Sequence, residues 1–326
     1  MQAAISVNAE GPEGLKFAEV ASPPFGPDEI RVRVNATALN RADLLQTMGL
    51  YPAPAGVPSD IPGLEYAGEV IAVGARVQRW KTGDRVMGLV GGGAWAEELV
   101  THEREAMAVP AGMSFSDAAA IPEAFTTAFD ALVLQAGMTL GSEVLVHAIA
   151  SGVGTAALQL CRLFGAKVIG TGRNEQKLAR AAKLGLTRSI VVKDGVFSAR
   201  VKQFTEGRGC DIALDLVGGD WFAETVDAMA VKGTVMLVGL VAGASAEVPL
   251  RSVLAKRLRL QGTTLRARSL EEKIAVARAF EQRVLPSFAS GQLAPVVDAV
   301  LPMAELEPAL QRLAGNDTFG KLVLTW

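Results

Sequence analysis

Residues 143–154 read Glu-Val-Leu-Val-His-Ala-Ile-Ala-Ser-Gly-Val-Gly, and this stretch decides which fold the sequence predicts. An apolar run, 144–149, stops at a turn of small residues, 150–154, and a helix-like stretch begins at Thr155. A second apolar run, 167–171, follows. The segment therefore has the order and length of one βαβ unit. Small residues at such a turn let the backbone approach a pyrophosphate, whose charge faces the N–H groups of the helix N-terminus.

This turn meets the usual G-x-G-x-x-G fingerprint only in part, because Ile149 and Ser151 occupy the positions of its first two glycines. A strand, small-residue turn and helix also occur in α/β proteins of other kinds. In the βαβ context we predict a dinucleotide site in which Ser151, Gly152, Val153 and Gly154 bind the cofactor.

The end of the second predicted strand indicates which nicotinamide cofactor is bound. An NAD site usually has an acid about 20 residues past the turn, where it accepts hydrogen bonds from the ribose. Gly172 stands there instead, and Arg173, Asn174 and Lys177 supply donors for a 2′-phosphate. This pattern favours NADPH (NADP+) over NADH. The alternative is that Arg173 and Lys177 are solvated residues near a helix start.

Composition excludes several classes of protein. The net charge of −2 comes from 34 acidic and 32 basic residues without a run of one sign, so we expect no nucleic-acid partner and no membrane-surface partner. The N-terminus lacks a signal-peptide pattern, and no apolar run reaches the roughly 18 residues of a membrane helix. A cytoplasmic protein is the expectation. Cys161 and Cys210 are too few for a disulfide framework, and we interpret both as packing residues.

A chain of 326 residues predicts two domains. Residues 1–110 read as short strands broken by Gly and Pro, typical of a compact β structure, with one helical stretch at 41–48 and a Pro/Gly-rich loop at 49–58. A long helix is predicted from Ser116, as N-cap, to Leu134.

From residue 143 strands and helices alternate, which predicts a parallel sheet covered on both faces. We therefore expect an α/β chain in which residues 1–122 and 265–326 form one domain and residues 123–264 form an inserted nucleotide-binding domain.

Several motifs in one order identify a family. They are Ala38-Leu-Asn-Arg-Ala-Asp43, Asp60-Ile-Pro-Gly-Leu-Glu-Tyr-Ala-Gly68, Asp117-Ala-Ala-Ala-Ile-Pro-Glu-Ala124, Ser151-Gly-Val-Gly-Thr-Ala-Ala157 and Gly320-Lys-Leu-Val-Leu324. Over essentially the whole chain the sequence resembles the zinc-free quinone oxidoreductase branch of the medium-chain dehydrogenase/reductases, close to its p53-inducible type. The resemblance implies a GroES-like β-rich catalytic domain, an inserted Rossmann-type doubly wound parallel sheet, a cleft between them and a homodimer. The dimer would form through the sheet edge near 235–241.

The resemblance also implies roles for individual residues. Asn40 and Thr127 would lie by the nicotinamide, and the loops Gly239-Leu240 and Thr264-Leu265 would close over it. Thr127 has another interpretation, a helix hydroxyl bonded to its own backbone. Relatives commonly carry Asn-Tyr near the end of the third strand, where this chain has Lys193 and its neighbours. Lys193 supplies charge without stacking, which weakens the expected selectivity for NADPH.

Zinc catalysis is disfavoured by the residues themselves. A catalytic zinc needs convergent Cys, His or carboxylate ligands. Zinc-containing relatives have a Cys at or beside Asn40 and a His before the Glu, whereas Leu64 precedes Glu65 here. The two histidines, His102 and His147, are not next to this motif. We therefore predict no metal site, interpret Glu65 as a buried, paired structural acid and place His147 in the core.

Tyr51 is the main catalytic candidate beside Asn40. A phenol can donate a hydrogen bond to the oxygen that becomes negative as hydride reaches a quinone or enone, or return a proton afterwards. Enoyl reductases of the resembled family have a tyrosine in a setting similar to Gly49-Leu-Tyr-Pro52. The alternative is that Tyr51 is an aromatic wall of the pocket.

These residues lead to one main hypothesis, an NADPH:quinone oxidoreductase that reduces small quinones or activated enones without zinc. A 2-enoyl thioester or 2-alkenal reductase is the rival of the same fold, and its nucleotide-bearing substrates would favour a basic patch, for which Arg41, Arg266 and Arg268 are the candidates. A rival of another class is an NADPH-binding redox sensor or structural protein with little turnover.

Overall fold

A computed structural model describes residues 1–7 and 9–326. The chain divides into two compact units. One, here called the β-rich unit, contains residues 1–126 and 265–326; the other, the α/β unit, contains residues 127–264. Within the described ranges no helix is long and apolar enough to cross a membrane.

The residues that the structure describes form fifteen strands and eleven α-helices. The strands are β1 (Gln2–Ser6), β2 (Leu15–Glu19), β3 (Glu29–Ala38), β4 (Glu65–Val73), β5 (Arg85–Leu89), β6 (Glu98–His102), β7 (Met107–Ala108), β8 (Glu143–Val146), β9 (Lys167–Gly172), β10 (Arg188–Val191), β11 (Cys210–Asp215), β12 (Met229–Leu237), β13 (Arg259–Gly262), β14 (Val297–Pro302) and β15 (Lys321–Thr325). The helices are α1 (Arg41–Thr47), α2 (Phe115–Ala119), α3 (Pro122–Phe129), α4 (Gly152–Leu163), α5 (Glu175–Lys183), α6 (Ser198–Phe204), α7 (Trp221–Ala228), α8 (Leu250–Lys256), α9 (Leu270–Arg283), α10 (Pro286–Ala289) and α11 (Leu306–Ala314).

The β-rich unit is built on a mostly antiparallel sheet with the order β14-β15-β3-β4-β5-β7, and β6 pairs with β3. Along β3 the side chains of Ile30, Val32 and Val34 alternate into the core, as expected for a strand with one buried face. The final strand, β15, lies beside β3, so the C-terminal segment completes this unit.

The α/β unit contains six parallel strands in the order β10-β9-β8-β11-β12-β13. In chain order this is 3-2-1-4-5-6, the arrangement of dinucleotide-binding domains. The β-rich and doubly wound parallel architectures expected from the sequence are thus both present.

One expectation about this sheet is wrong. The sequence predicts a sheet edge near 235–241, but residues 235–237 belong to β12, which lies between β11 and β13. The edge on this side of the sheet is β13, a strand that the sequence pattern does not predict. Every residue of β13 is exposed and α8 has no buried residue, so neither element shows a buried-face pattern in the sequence.

The single long helix predicted from Ser116 to Leu134 is also wrong. The chain forms α2, then breaks, then forms α3 from Pro122, and Asp130–Gln135 continue as a π-helix. Proline cannot donate the hydrogen bond that would continue a helix, so it begins a new one. The N-cap of α2 is Ser114, whose Oγ accepts from the Asp117 N–H at 3.0 Å.

The expectation of a core histidine is confirmed. His147 is fully buried, with Nδ1 2.8 Å from the Thr171 hydroxyl and Nε2 2.9 Å from the Thr225 hydroxyl. Burial lowers its pKa, against the smaller opposing effect of the Asp215 charge. The imidazole therefore links β8, β9 and α7 inside the α/β unit.

Gly154→Ala is expected to destabilise the α/β unit by about 1–3 kcal/mol, because a Cβ there would lie 2.4 Å from the Ala148 carbonyl oxygen. The matched control is Gly262→Ala in β13, where a Cβ has no heavy atom within 4 Å. Urea unfolding of both variants checks this, and equal stability would contradict the tight packing of α4 on β8.

Candidate active site

Asn40 lies between β3 and α1 and is held at both ends of its side chain. Its Nδ2 donates to Glu65 Oε1 at 2.9 Å, and its Oδ1 accepts from Lys321 Nζ at 2.5 Å. Its backbone N–H donates to Asp43 Oδ2 at 2.8 Å, the reciprocal contact of a helix capping box. The amide group is therefore fixed in one orientation.

Glu65, the first residue of β4, is confirmed as a buried, paired acid. It is 0% exposed, and Oε1 lies 2.7 Å from Lys321 Nζ. Oε2 accepts from the Glu123 N–H at 2.7 Å, in the first turn of α3, where the helix dipole favours a negative charge. Both carboxylate oxygens are thus hydrogen-bonded, as a buried charge requires.

Lys321, at the start of β15, is the functional residue that sequence reasoning missed. It is 5% exposed, and its ammonium donates to Leu39 O at 2.7 Å as well as to Asn40 and Glu65. All three of its donors are used. The sequence carries one signal for it, a lysine opening a strand that is otherwise apolar, Leu322 to Leu324.

Asp43 is a second buried acid of this cluster. It is 0% exposed, and burial raises its pKa to about 7, an effect that the Asn40 N–H and the Lys321 charge partly offset. Its Oδ1 has no hydrogen-bond partner. The cluster therefore contains one buried ammonium, that of Lys321, and two buried carboxyl groups. Of these two, Glu65 contacts the ammonium directly.

This donor set does not fit a catalytic zinc. The Glu65 carboxylate faces an ammonium, an amide N–H and a backbone N–H, and these donors cannot ligate a cation. In the part of the chain that the structure describes, no three His, Cys, Asp or Glu side chains are grouped as metal ligands.

Tyr51 lies in the loop that follows α1, where its N–H donates to Leu45 O at 3.2 Å. The side chain is half-buried, and burial raises the pKa of the phenol. The opposing effect of the Arg266 charge is smaller. The phenol is therefore protonated at neutral pH and is able to donate a hydrogen bond.

The predicted phosphate turn lies at the carboxyl end of β8. Ser151 is the N-cap of α4, and its Oγ accepts from the Gly154 N–H at 3.0 Å. Gly152 and Val153 form the first turn of this twelve-residue helix. The first N–H groups of a helix have no intrahelical acceptor, so this turn fits a phosphate group.

The residues proposed for the 2′-phosphate follow the neighbouring strand. Gly172 ends β9, Arg173 is exposed, and Asn174 is the N-cap of α5, its Oδ1 accepting from the Lys177 N–H at 3.0 Å. Lys193 is exposed and lies 3.8 Å from a Glu175 carboxylate oxygen. Gly172, Arg173 and Asn174 thus lie at the start of α5, and Lys193 is brought there by its contact with Glu175, which adds a negative charge that the sequence pattern does not indicate.

The remaining predicted contacts are spread over the α/β unit and its boundary. Gly239 donates its N–H to Asp215 O at 3.2 Å, and Leu240 is exposed. Thr127 is buried in α3. Thr264 is the last residue of this unit and Leu265 the first of the following segment of the β-rich unit. Their contacts with a cofactor stay predictions.

Lys321→Met is expected to destabilise the protein by about 3–5 kcal/mol, because the Glu65 carboxylate loses its buried partner. Lys16→Met, at an exposed position in β2, is the matched control and should change stability by less than about 0.5 kcal/mol. Urea titration measures both. If the double variant Glu65→Gln/Lys321→Met loses as much free energy of unfolding as the two single variants together, the two side chains are not coupled.

Comparison with known proteins places the two units in one family. The alcohol dehydrogenase GroES-like domain matches residues 26–111, and the zinc-binding dehydrogenase domain matches residues 152–281. A quinone oxidoreductase of Pseudomonas aeruginosa is 33% identical over 317 residues, which make up 96% of each chain.

Solved structures agree with this assignment over the whole chain. A Pseudomonas syringae quinone oxidoreductase has a TM-score of 0.90 and 30% identity, covering 100% of this chain and 99% of its own. A structure described as an NAD-dependent alcohol dehydrogenase has a TM-score of 0.88 and 31% identity, with both chains fully covered. The chain therefore belongs to the medium-chain dehydrogenase/reductase superfamily of oxidoreductases, on its quinone oxidoreductase-like branch.

Proposed function

We propose that this protein transfers hydride from NADPH to small quinones or activated enones without zinc. The observation that carries the proposal is the Glu65–Lys321–Asn40 network, in which protein donors hold the Glu65 carboxylate so that it does not serve as a metal ligand. Similarity to proteins named quinone oxidoreductase supports the acceptor class.

Bound NADPH would supply the hydride, and the residues of the chain would position the acceptor and move one proton. Addition of the hydride, which carries two electrons and one proton, converts a quinone into the hydroquinone monoanion, and one further proton then completes the hydroquinone. The protonated Tyr51 phenol can stabilise the oxygen that becomes negative, because such a donor acts on charge formed at the transition state. The fixed amide of Asn40 supports the proposal that it positions the nicotinamide.

NADPH is proposed over NADH because of the residues after β9. Gly172 offers no carboxylate to a 2′-phosphate, and the exposed Arg173 guanidinium is a suitable bidentate donor. Glu175 beside Lys193 weakens the positive field of that region, so a preference and not a strict requirement is expected.

The thioester rival loses part of its support. Arg41 donates to Leu313 O at 2.9 Å and Asn316 Oδ1 at 2.7 Å, and Arg266 is buried. Both arginines thus donate hydrogen bonds within the β-rich unit. They do not form, with Arg268, the basic patch that a nucleotide-bearing thioester would favour.

The experiment that tests the proposal is NADPH oxidation by the purified protein, with a small quinone and with a 2-enoyl thioester in parallel, each repeated with NADH. We expect turnover to be faster with the quinone and faster with NADPH. Preference for the thioester would make the protein an enoyl reductase, and tight NADPH binding without turnover would favour a sensor.

Tyr51→Phe should lower kcat for the quinone by about tenfold or more, with little change in the KM for NADPH, because the phenol hydroxyl acts on the acceptor. The only other tyrosine, Tyr66, is fully buried in the β-rich unit, and Tyr66→Phe is the matched control. Steady-state kinetics separate the two. An unchanged kcat in Tyr51→Phe would reduce Tyr51 to a wall of the pocket.

Arg173→Ala should raise the KM for NADPH by about tenfold or more and leave the KM for NADH nearly unchanged, since only NADPH carries the 2′-phosphate. Arg180→Ala, in the last turn of α5, the helix that follows Arg173, is the control. Equal effects on the two cofactors would remove the proposed role of Arg173.

A further inference from the structure

Arg266 is a buried arginine that links three separate segments of the β-rich unit. It is 9% exposed, and its Nε donates to Gly91 O at 2.7 Å. Its Nη1 donates to Tyr51 O at 3.1 Å, and its Nη2 donates to Gln46 Oε1. One rigid guanidinium thus holds the loop after α1 and the segment after β5 in fixed relation.

The Tyr51 side chain is held as well as its backbone. The guanidinium carbon lies 5.0 Å from the centre of the phenol ring, within the range of a cation–π contact. Such contacts are stronger when both groups are shielded from water, as they are at this half-buried ring and buried cation.

Gln46 extends this restraint to the far end of the loop. It lies in α1, is 6% exposed, and its Nε2 donates to Ser59 O at 3.2 Å. The Pro/Gly-rich loop that carries Tyr51 is therefore held near its start by Arg266 and near its end by Gln46, and the two side chains contact each other.

The charge of Arg266 acts on the same phenol. It lowers the pKa of Tyr51 against the larger raising effect of burial, while the carboxylate of Glu123 acts in the raising direction. Burial lowers the pKa of Arg266, and the smaller effects of Asp43, Tyr51 and Glu123 raise it.

We propose that Arg266 is the positioning residue of Tyr51, holding its loop and ring in the conformation that serves hydride transfer. This inference rests on the proposed function, because Arg266 acts only through Tyr51. It gives Arg266 no contact with the acceptor or the cofactor. A lysine cannot replace it, since an ammonium is a point charge without the planar fork that reaches three acceptors.

The test is a double-mutant cycle on kcat with a quinone acceptor, using Arg266→Lys, Tyr51→Phe and the combined variant. We expect Arg266→Lys to lower kcat about tenfold or more without changing the KM for NADPH, because small displacements of a catalytic group are costly. In the Tyr51→Phe background the same change should lower kcat less than twofold.

Arg85→Lys is the matched control. Arg85 also donates to a carbonyl, Met113 O at 2.7 Å, and lies 4.3 Å from the Phe115 ring centre, so it tests the loss of a guanidinium outside the Tyr51 loop. Its kcat should equal that of the natural chain. Thermal unfolding verifies the fold of each variant. If Arg266→Lys does not fold, Gln46→Met replaces it in the test, because it removes the acceptor of the Arg266 guanidinium in α1 and should also lower kcat.

Three outcomes overturn the inference. Arg266→Lys with an unchanged kcat, or with the same loss of kcat in both backgrounds, shows that Arg266 does not act through Tyr51 and leaves the proposed function intact. An unchanged kcat in Tyr51→Phe alone contradicts the proposed role of Tyr51 first, and the role of Arg266 fails with it.

Discussion

The buried contact between Glu65 and Lys321 is the interaction on which the rest of this site depends. It joins the first residue of β4 to the first residue of β15, and Lys321 also holds the carbonyl of Leu39 at the end of β3. A buried charge is tolerated only when its partners satisfy it fully. Asn40 and the α3 N-terminus complete the set of donors, so the same contacts that satisfy the buried Glu65 charge also orient Asn40.

This arrangement also limits the chemistry that the unit supports. A cation at Glu65 would lie beside an ammonium, which Coulomb repulsion disfavours strongly in a dry interior. Acceptors that need no metal are therefore the better match. In the proposed reaction, quinones and activated enones accept hydride without a metal, and the Tyr51 phenol would stabilise the charge that develops on their oxygen.

Sequence patterns predicted what depends on local order in the chain. The βαβ turn at 143–154 and the strand in the region of β3 follow from hydrophobic patterning, whereas the burial of Glu65 is inferred from the absence of zinc ligands beside it. The role of Lys321 could not be predicted, since it comes from a strand more than 250 residues from Glu65. The helix α8 and the strand β13 are not predicted, because neither buries a face and neither therefore shows a periodic apolar pattern.

Metal content and the metal dependence of quinone-driven NADPH oxidation test most directly whether the protein works without zinc. Purified protein would be treated with a strong chelator, analysed for zinc and assayed before and after zinc is added back. We predict less than stoichiometric zinc and an unchanged rate. One zinc per chain, with activity lost on chelation and restored by zinc, would contradict the conclusion that Glu65 is paired with Lys321 and does not ligate a metal.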